Sequence, residues 1–254
     1  MRVAVHKFTS CDGCQLAFLN LGEHLLTLAN AVDIVHFAEA GAVDPDAPVD
    51  VAFIEGSIST PAEQARIERI RNNSKFLVTM GACATAGGLQ ALRNLRDSGD
   101  WLRSIYAEPE HIQTLELVTP IRDQVKVDLE LWGCPVTGRQ VVATIRALLN
   151  GVLPARETDK VCMECKRQQA VCVMVTDRAP CMGAVTLSGC GALCPRFGRD
   201  CYGCYGPAEH PNTAALGQRL AGLGLSSDAI SRRFLSINNH SPAFHAAGLR
   251  WRSP

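Results

Sequence analysis

Twelve cysteines in 254 residues constrain this chain more than any other feature. Cys11, Cys14, Cys83 and Cys134 are spread over the first half, and eight more crowd between Val161 and Pro207. A lone buried cysteine behaves as a small hydrophobe. Cys-x-x-Cys pairs flanked by glycine do not fit that reading. The N-terminus runs straight into strand-like sequence, with no leader pattern or twin arginine, so the expectation is a cytoplasmic chain. Thiols stay reduced there, disulfides are disfavoured, and metal is what remains.

Composition excludes several classes. Basic and acidic side chains balance at 25 each, which gives no electrostatic reason to bind nucleic acid or an anionic membrane surface. A neutral chain is better matched to association with other proteins. No run of eighteen apolar residues exists, so no membrane span is expected.

Up to about Asn150 the sequence alternates between strand and helix patterns. Strands are expected at Val3–Val5, Val32–Phe37, Val51–Ile54, Lys75–Met80 and Val125–Trp132. Helices are expected at Cys14–Ala29, from Pro61 to about Asn73 behind a Ser59 or Thr60 cap, at Ala84–Arg96 and at Thr137–Leu149. A loop is expected over Gly41–Asp50, and Trp101–Glu108 is ambiguous. This alternation predicts a flavodoxin-like, doubly wound parallel α/β sheet over residues 1–152. Cys11 and Cys14 then follow strand one, Glu55 strand three, Cys83 strand four and Cys134 strand five. Ligands of such sheets bind outside the carboxyl ends of the strands, so the topology brings four distant cysteines to one edge.

Gly151–Asp159 is linker-like. The cysteine-rich stretch after it, within a second unit of residues 153–254, has few long apolar runs and is expected to draw stability from bound metal. Asn212–Leu223 and Ser227–Phe234 have helical patterns, followed by a polar tail.

The first candidate site combines Cys11-Asp-Gly-Cys14 with Gly81-Ala-Cys83 and Gly133-Cys134-Pro135. Iron–sulfur clusters take four thiolates, and the glycines suit backbone that must approach a bulky inorganic cube. A thioredoxin-like redox pair is the rival for Cys11 and Cys14, but it leaves Cys83 and Cys134 unexplained. The second constellation is Cys162-x2-Cys165-x6-Cys172-x8-Cys181 followed by Cys190-x3-Cys194-Pro-x5-Cys201-x2-Cys204. Eight thiolates make two four-ligand sites, and Cys-x3-Cys-Pro echoes bacterial ferredoxin runs. Two zinc sites are the alternative. Sequence order gives Cys162/165/172/181 and Cys190/194/201/204, with an interleaved partition also open.

Glu55 is a candidate proton carrier or interface contact, set against a loop-exposed carboxylate. His6, His24 and His36 are expected to be structural and His210 a surface residue. Arg66, Arg69 and Arg71 read as a solvated helix face. No Walker motif, G-x-G-x-x-G fingerprint or nucleophile–base pair is present.

Ser10-Cys-Asp-Gly-Cys-Gln-Leu16, Ile54-Glu-Gly-Ser57, Gly81-Ala-Cys83 and Gly133-Cys-Pro135 resemble the cluster-binding half of nickel–iron hydrogenase small subunits. Cys162-Met-Glu-Cys-Lys-Arg167, Gly189-Cys-Gly-Ala-Leu-Cys-Pro195 and Gly198-Arg-Asp-Cys-Tyr-Gly-Cys204 are similar to the cytoplasmic multi-subunit branch, that of the NADP-reducing or sulfhydrogenase delta subunits. The resemblance covers residues 1 to about 210. It implies a proximal 4Fe–4S cluster on Cys11, Cys14, Cys83 and Cys134 in the flavodoxin-like domain. It also implies a smaller ferredoxin-like domain with a medial 4Fe–4S cluster on Cys190, Cys194, Cys201 and Cys204, and a distal one on Cys162, Cys165, Cys172 and Cys181. Cys162 stands where periplasmic relatives have histidine, and Cys194 where they have proline, so both sites become all-cysteine. The implied partners are a large subunit holding the nickel–iron site, an iron–sulfur subunit and a flavin/NAD(P)-binding subunit. No catalytic residue is expected in this chain. The same role in an F420-reducing or heterodisulfide-reductase-linked hydrogenase is the alternative. The complex I quinone-site subunit shares the fold but has adjacent cysteines where this chain has Cys11-x-x-Cys14.

Overall fold

Val3, Ala4 and Val5 are all buried because strand β1 (Arg2–Lys7) lies between two parallel neighbours and is covered on both faces. The computed structural model describes residues 1–41 and 44–253. After β1 come helices α1 (Gly13–Leu19) and α2 (Glu23–Ala31), then β2 (Asp33–Phe37), β3 (Val49–Glu55), α3 (Pro61–Asn72) and β4 (Ser74–Met80). Helix α4 (Gly81–Ala86), a 3₁₀ turn (Leu89–Leu95), α5 (Ser98–Ile105), β5 (Leu129–Leu131) and α6 (Gly138–Leu149) complete this part. The five strands pair in parallel in the order β2-β1-β3-β4-β5. This is the doubly wound, flavodoxin-like α/β arrangement, with its switch point between β1 and β3. Val3, Val5, Val51 and Phe53 face a core shared with Phe18 of α1 and Val141 and Ile145 of α6. Ala4, Ala52 and Ile54 point to the opposite core with Ile67 and Ile70 of α3.

Local chemistry sets the helix starts. The Thr60 hydroxyl accepts the Glu63 N–H while the Glu63 carboxylate accepts the Thr60 N–H, and Thr137 and Gln140 repeat this box at α6. The expected helix over Cys14–Ala29 is divided into α1 and α2, with Gly22 at φ 58° between them. The helix expected over Ala84–Arg96 stops at Ala86 because Gly87 and Gly88 both take positive φ. Strand five is shorter than Val125–Trp132, since the Asp128 carboxylate takes the Leu77 N–H (2.8 Å) just ahead of Leu129. The ambiguous Trp101–Glu108 stretch belongs in part to α5, capped by Asp97. Residues 42 and 43 of the expected Gly41–Asp50 loop lie outside the described residues.

The chain divides into two compact units, Met1–Leu153 and Pro154–Pro254. The second contains α7 (Val161–Arg167), α8 (Val173–Thr176), α9 (Leu193–Arg196), α10 (Thr213–Gly222), α11 (Ser227–Phe234) and α12 (Pro242–Trp251), with isolated bridges Lys160–Leu187 and Thr186–Pro207. The expected polar tail is instead α12, which starts at Ser241-Pro242 and buries Phe244 against Phe234, ring centroids 5.8 Å apart. The cysteine-rich stretch therefore does not lack a core. Val161, Val173, Met182 and Val185 join Leu216, Leu220, Ile230, Phe234 and Phe244 in one apolar cluster. The Asn238 side-chain amide donates to the Gly203 carbonyl (2.7 Å), tying the Cys201–Cys204 loop to the C-terminal helices.

Candidate metal centres

In the first unit every predicted cysteine leaves the carboxyl end of a strand. Cys11 and Cys14 follow β1, Cys83 lies in α4 directly after β4, and Cys134 follows β5. Asp12 turns the first loop in the left-handed region (φ 64°), and Lys7 Nζ holds its carboxylate at 2.6 Å. The Ala82 N–H donates to the Gly133 carbonyl (2.7 Å), which docks the Cys83 and Cys134 segments on each other. Gly81, at φ 85°, passes so close that a Cβ there would run into Cys14 Sγ. A Cβ on Gly88 would meet Cys83 Sγ at 2.6 Å. The backbone is thus stripped of side chains where the sulfurs gather.

The thiols sense one another. Burial raises the Cys14 pKa, with the Val136 N–H opposing and Glu55, Cys83 and Cys134 adding to the rise. Cys83 is pushed up to about 12 by burial, partly countered by the Gln90 side chain, with Cys134, Cys11 and Glu55 reinforcing it. Burial and Cys11 raise Cys134. No cation figures among these causes. A reactive dithiol needs its thiolate stabilised, and this site does the reverse until positive charge arrives. Cys11 and Cys134 are exposed, so that charge has a way in.

Glu55 is no loop-exposed carboxylate: it is buried at 2% exposure. Its oxygens accept the Cys14 N–H (2.8 Å) and the Gln15 side-chain amide (2.9 Å), and burial raises its pKa against those bonds. Gln90 was not legible from sequence. Its amide donates to the Thr9 carbonyl (2.9 Å) and lies 3.5 Å from Cys83 Sγ. His6 and His36 form a buried pair with ring centroids 4.8 Å apart, and His210 is exposed. The solvated arginine face is corrected. Arg66 donates to the Lys7 carbonyl and lies 4.1 Å over the Phe8 ring, and Arg71 pairs with Asp128 at 2.6 Å. Of the three, only Arg69 is exposed.

In the second unit Cys162 and Cys165 lie on α7, Cys172 caps α8, and Cys181 follows. Burial raises Cys162, with Cys181 and Cys172 adding to it. Cys165 is pushed up to about 11 by burial, then by Cys162, Cys181, Cys172 and Cys190. Cys165 therefore lies within electrostatic reach of cysteines from both runs. Cys201 is raised by burial and coupled to Cys181 and Cys204, and its N–H lies 3.3 Å from Cys181 Sγ. Cys194 sits in α9, one turn past Cys190. Among the described residues, no three His, Cys, Asp or Glu side chains converge tightly enough to grip one metal ion. Four thiols around a polynuclear cluster stand wider than four thiols on one ion. The four gathered cysteines and the glycine clearance suit a cluster of that kind in the first unit, and the neighbouring cysteines of the second unit suit the same chemistry.

Cysteines at the strand ends of an α/β sheet are a donor set suited to an iron–sulfur cluster. The chain belongs to the NADH ubiquinone oxidoreductase 20 kDa subunit family, whose sequence profile matches residues 11–148. Within that family it keeps company with hydrogenase subunits. It is 32% identical to the delta subunit of sulfhydrogenase 2 from Pyrococcus furiosus, over 92% of this chain and 97% of that one. It is also 32% identical to a subunit of an F420-non-reducing hydrogenase from Methanocaldococcus jannaschii, over 82% of this chain and 83% of that one. The solved NAD⁺-reducing [NiFe]-hydrogenase in its H₂-reduced state contains a chain that superposes with a TM-score of 0.57 at 28% identity, over 61% of this chain and 94% of that one. The chain is a small subunit of the nickel–iron hydrogenase kind, an oxidoreductase component. No helix among the described residues is long and apolar enough to cross a membrane.

Proposed function

We propose that this chain is the electron-transfer subunit of a cytoplasmic hydrogenase and binds three 4Fe–4S clusters. The proximal one is held by Cys11, Cys14, Cys83 and Cys134, the medial by Cys190, Cys194, Cys201 and Cys204, and the distal by Cys162, Cys165, Cys172 and Cys181. The observation that carries this reading is the gathering of mutually coupled thiols from the ends of β1, β4 and β5 around backbone cleared by Gly81. Bound clusters of this kind supply one-electron redox chemistry at potentials set by ligands, hydrogen bonds and burial.

The chain's own residues do the rest. Thiolates of the twelve cysteines hold the iron and neutralise its charge. Glu55 fixes the Cys14 N–H, and Gln90 steadies the Cys83 side, so that the ligand loops are shaped before metal arrives. Burial of Cys14 and Cys201 keeps water from those sulfurs. Hydrogen is activated at the nickel–iron site of a separate large subunit, and Glu55 is this chain's candidate for proton transfer or for an interface contact. Electrons pass onward to an iron–sulfur subunit and a flavin subunit that reduces NADP⁺.

Relatives are named for different acceptors, sulfhydrogenase, NAD-reducing hydrogenase and coenzyme F420 hydrogenase among them. The deciding experiment is anaerobic isolation of the complex through a tag on this chain. The partners are then identified, nickel is measured, and hydrogen-dependent reduction of NADP⁺, NAD⁺ and F420 is compared. A nickel-bearing partner with NADP⁺ as the preferred acceptor is expected. A complex without nickel contradicts the hydrogenase assignment, and preference for F420 replaces the acceptor.

A further inference from the structure

Glu164 lies inside the Cys162–Cys165 motif on α7, yet its carboxylate serves a different loop. Oε1 accepts the Gly189 N–H (2.9 Å) and the Gly191 N–H (3.0 Å), and Oε2 accepts the Ala192 N–H (3.1 Å). Oε2 also stands 3.7 Å from Cys190 Sγ. Gly191 and Ala192 have φ of 70° and 54°, a left-handed pair. Their N–H groups, with that of Gly189, converge on one carboxylate. For Ala192, which has a Cβ, this conformation is strained, so the loop needs something to hold it. The carboxylate is that anchor.

We propose that Glu164 is a positioning residue for the cluster ligated by Cys190. It presets the Cys190–Cys194 loop and places a fixed negative charge beside the Cys190 sulfur, which holds that cluster's reduction potential down. The inference rests on the proposed role of Cys190 as a ligand. Its physical basis has two parts. Reduction adds negative charge, and a neighbouring carboxylate opposes it. N–H donors to cluster sulfur are one way a protein tunes potential, and here three N–H groups of the ligand loop are already taken by Glu164. The same side chain links the Cys162–Cys165 helix to the Cys190 loop, so the two cysteine runs are mechanically joined before metal arrives.

The test compares the anaerobically prepared complex with its Glu164→Gln and Glu164→Asp variants, by iron and sulfide content and by redox titration followed by electron paramagnetic resonance. Glutamine keeps an oxygen for Gly189 and Gly191 but removes the charge. The expected result is wild-type iron in Glu164→Gln, one midpoint potential moved upward, and the others unmoved. A fully loaded Glu164→Gln variant with every midpoint unchanged overturns the proposal. If Glu164→Gln instead loses iron, Glu164→Asp decides. Recovery of iron with aspartate supports the anionic anchor, and equal loss in both variants overturns it by making side-chain packing the whole effect. Failure of the underlying ligand assignment is seen separately, as a wild-type complex with fewer than about twelve irons per copy of this chain beyond those its separated partners bind.

Discussion

The Cys14 N–H donates to the Glu55 carboxylate at 2.8 Å, so a residue at the end of β3 holds the cysteine loop that follows β1. These are the two strands at which the sheet order reverses. The bond therefore spans the crevice where open α/β sheets place ligands. The same carboxylate accepts the side-chain N–H of Gln15, which is fully buried.

Glu55→Ala leaves the Cys14 N–H and the Gln15 amide without that acceptor. Each buried donor so orphaned costs about 1–3 kcal/mol. The expected outcome is a lower denaturation midpoint of the first unit and poor iron uptake, with Glu55→Gln closer to wild type because one oxygen acceptor survives. Urea denaturation and iron content measure both.

Gly81→Ala pushes a Cβ into Cys14 Sγ at a positive φ. Backbone strain alone is about 1–3 kcal/mol, and the steric conflict falls on a proposed ligand. The variant is expected to lose about four irons while the cysteine-rich unit keeps its own. Quantitative iron analysis with electron paramagnetic resonance distinguishes this local loss from global unfolding.

Phe244→Ala opens a hole where α11 and α12 meet beneath the cysteine loops. Truncation of a buried phenylalanine costs about 3–5 kcal/mol. The expected pattern is the converse of Gly81→Ala: up to about eight irons lost, with the first unit still loaded. Retention of all the iron would show that the C-terminal helices do not support the cluster loops.

His6 supplies a pH dependence. Burial first, then the His36 and Arg66 charges, lowers its pKa from 6.5 to about 3. The unfolded chain therefore binds a proton that the folded chain refuses over this interval. Stability is fullest above pH 6.5 and falls as the pH drops from 6.5 toward about 3. In denaturation of the wild type and of His6→Phe between pH 7 and about pH 5, the variant is expected to have the shallower slope. Equal slopes would remove His6 from the account.

How far the sequence carried follows from particular elements. Strands with apolar residues on both faces, such as Val51–Ile54, and helices opened by Thr60-Pro61 or Thr137 declare themselves locally. Breaks at Gly22 and at Gly87-Gly88 did not, because an isolated glycine is tolerated within a helical pattern. Helix α12 was obscured by polar Asn238, Asn239 and Ser241, which are buried through hydrogen bonds rather than exposed. Topology placed Cys11, Cys14, Cys83 and Cys134 at one sheet edge, but no spacing rule announces that Glu55 is buried or that Gln90 reaches Cys83. Glu164 was hidden in plain view: an acid between two cysteines signals a nearby donor set only once Gly189–Ala192 is folded against it.

The central claim is that the thiols hold iron–sulfur clusters, and its most direct measurement is the metal and labile-sulfide content of the anaerobically isolated chain. The account predicts a brown protein with about twelve irons and about twelve sulfides per chain, in three four-iron clusters. A colourless protein carrying zinc and no labile sulfide would contradict it.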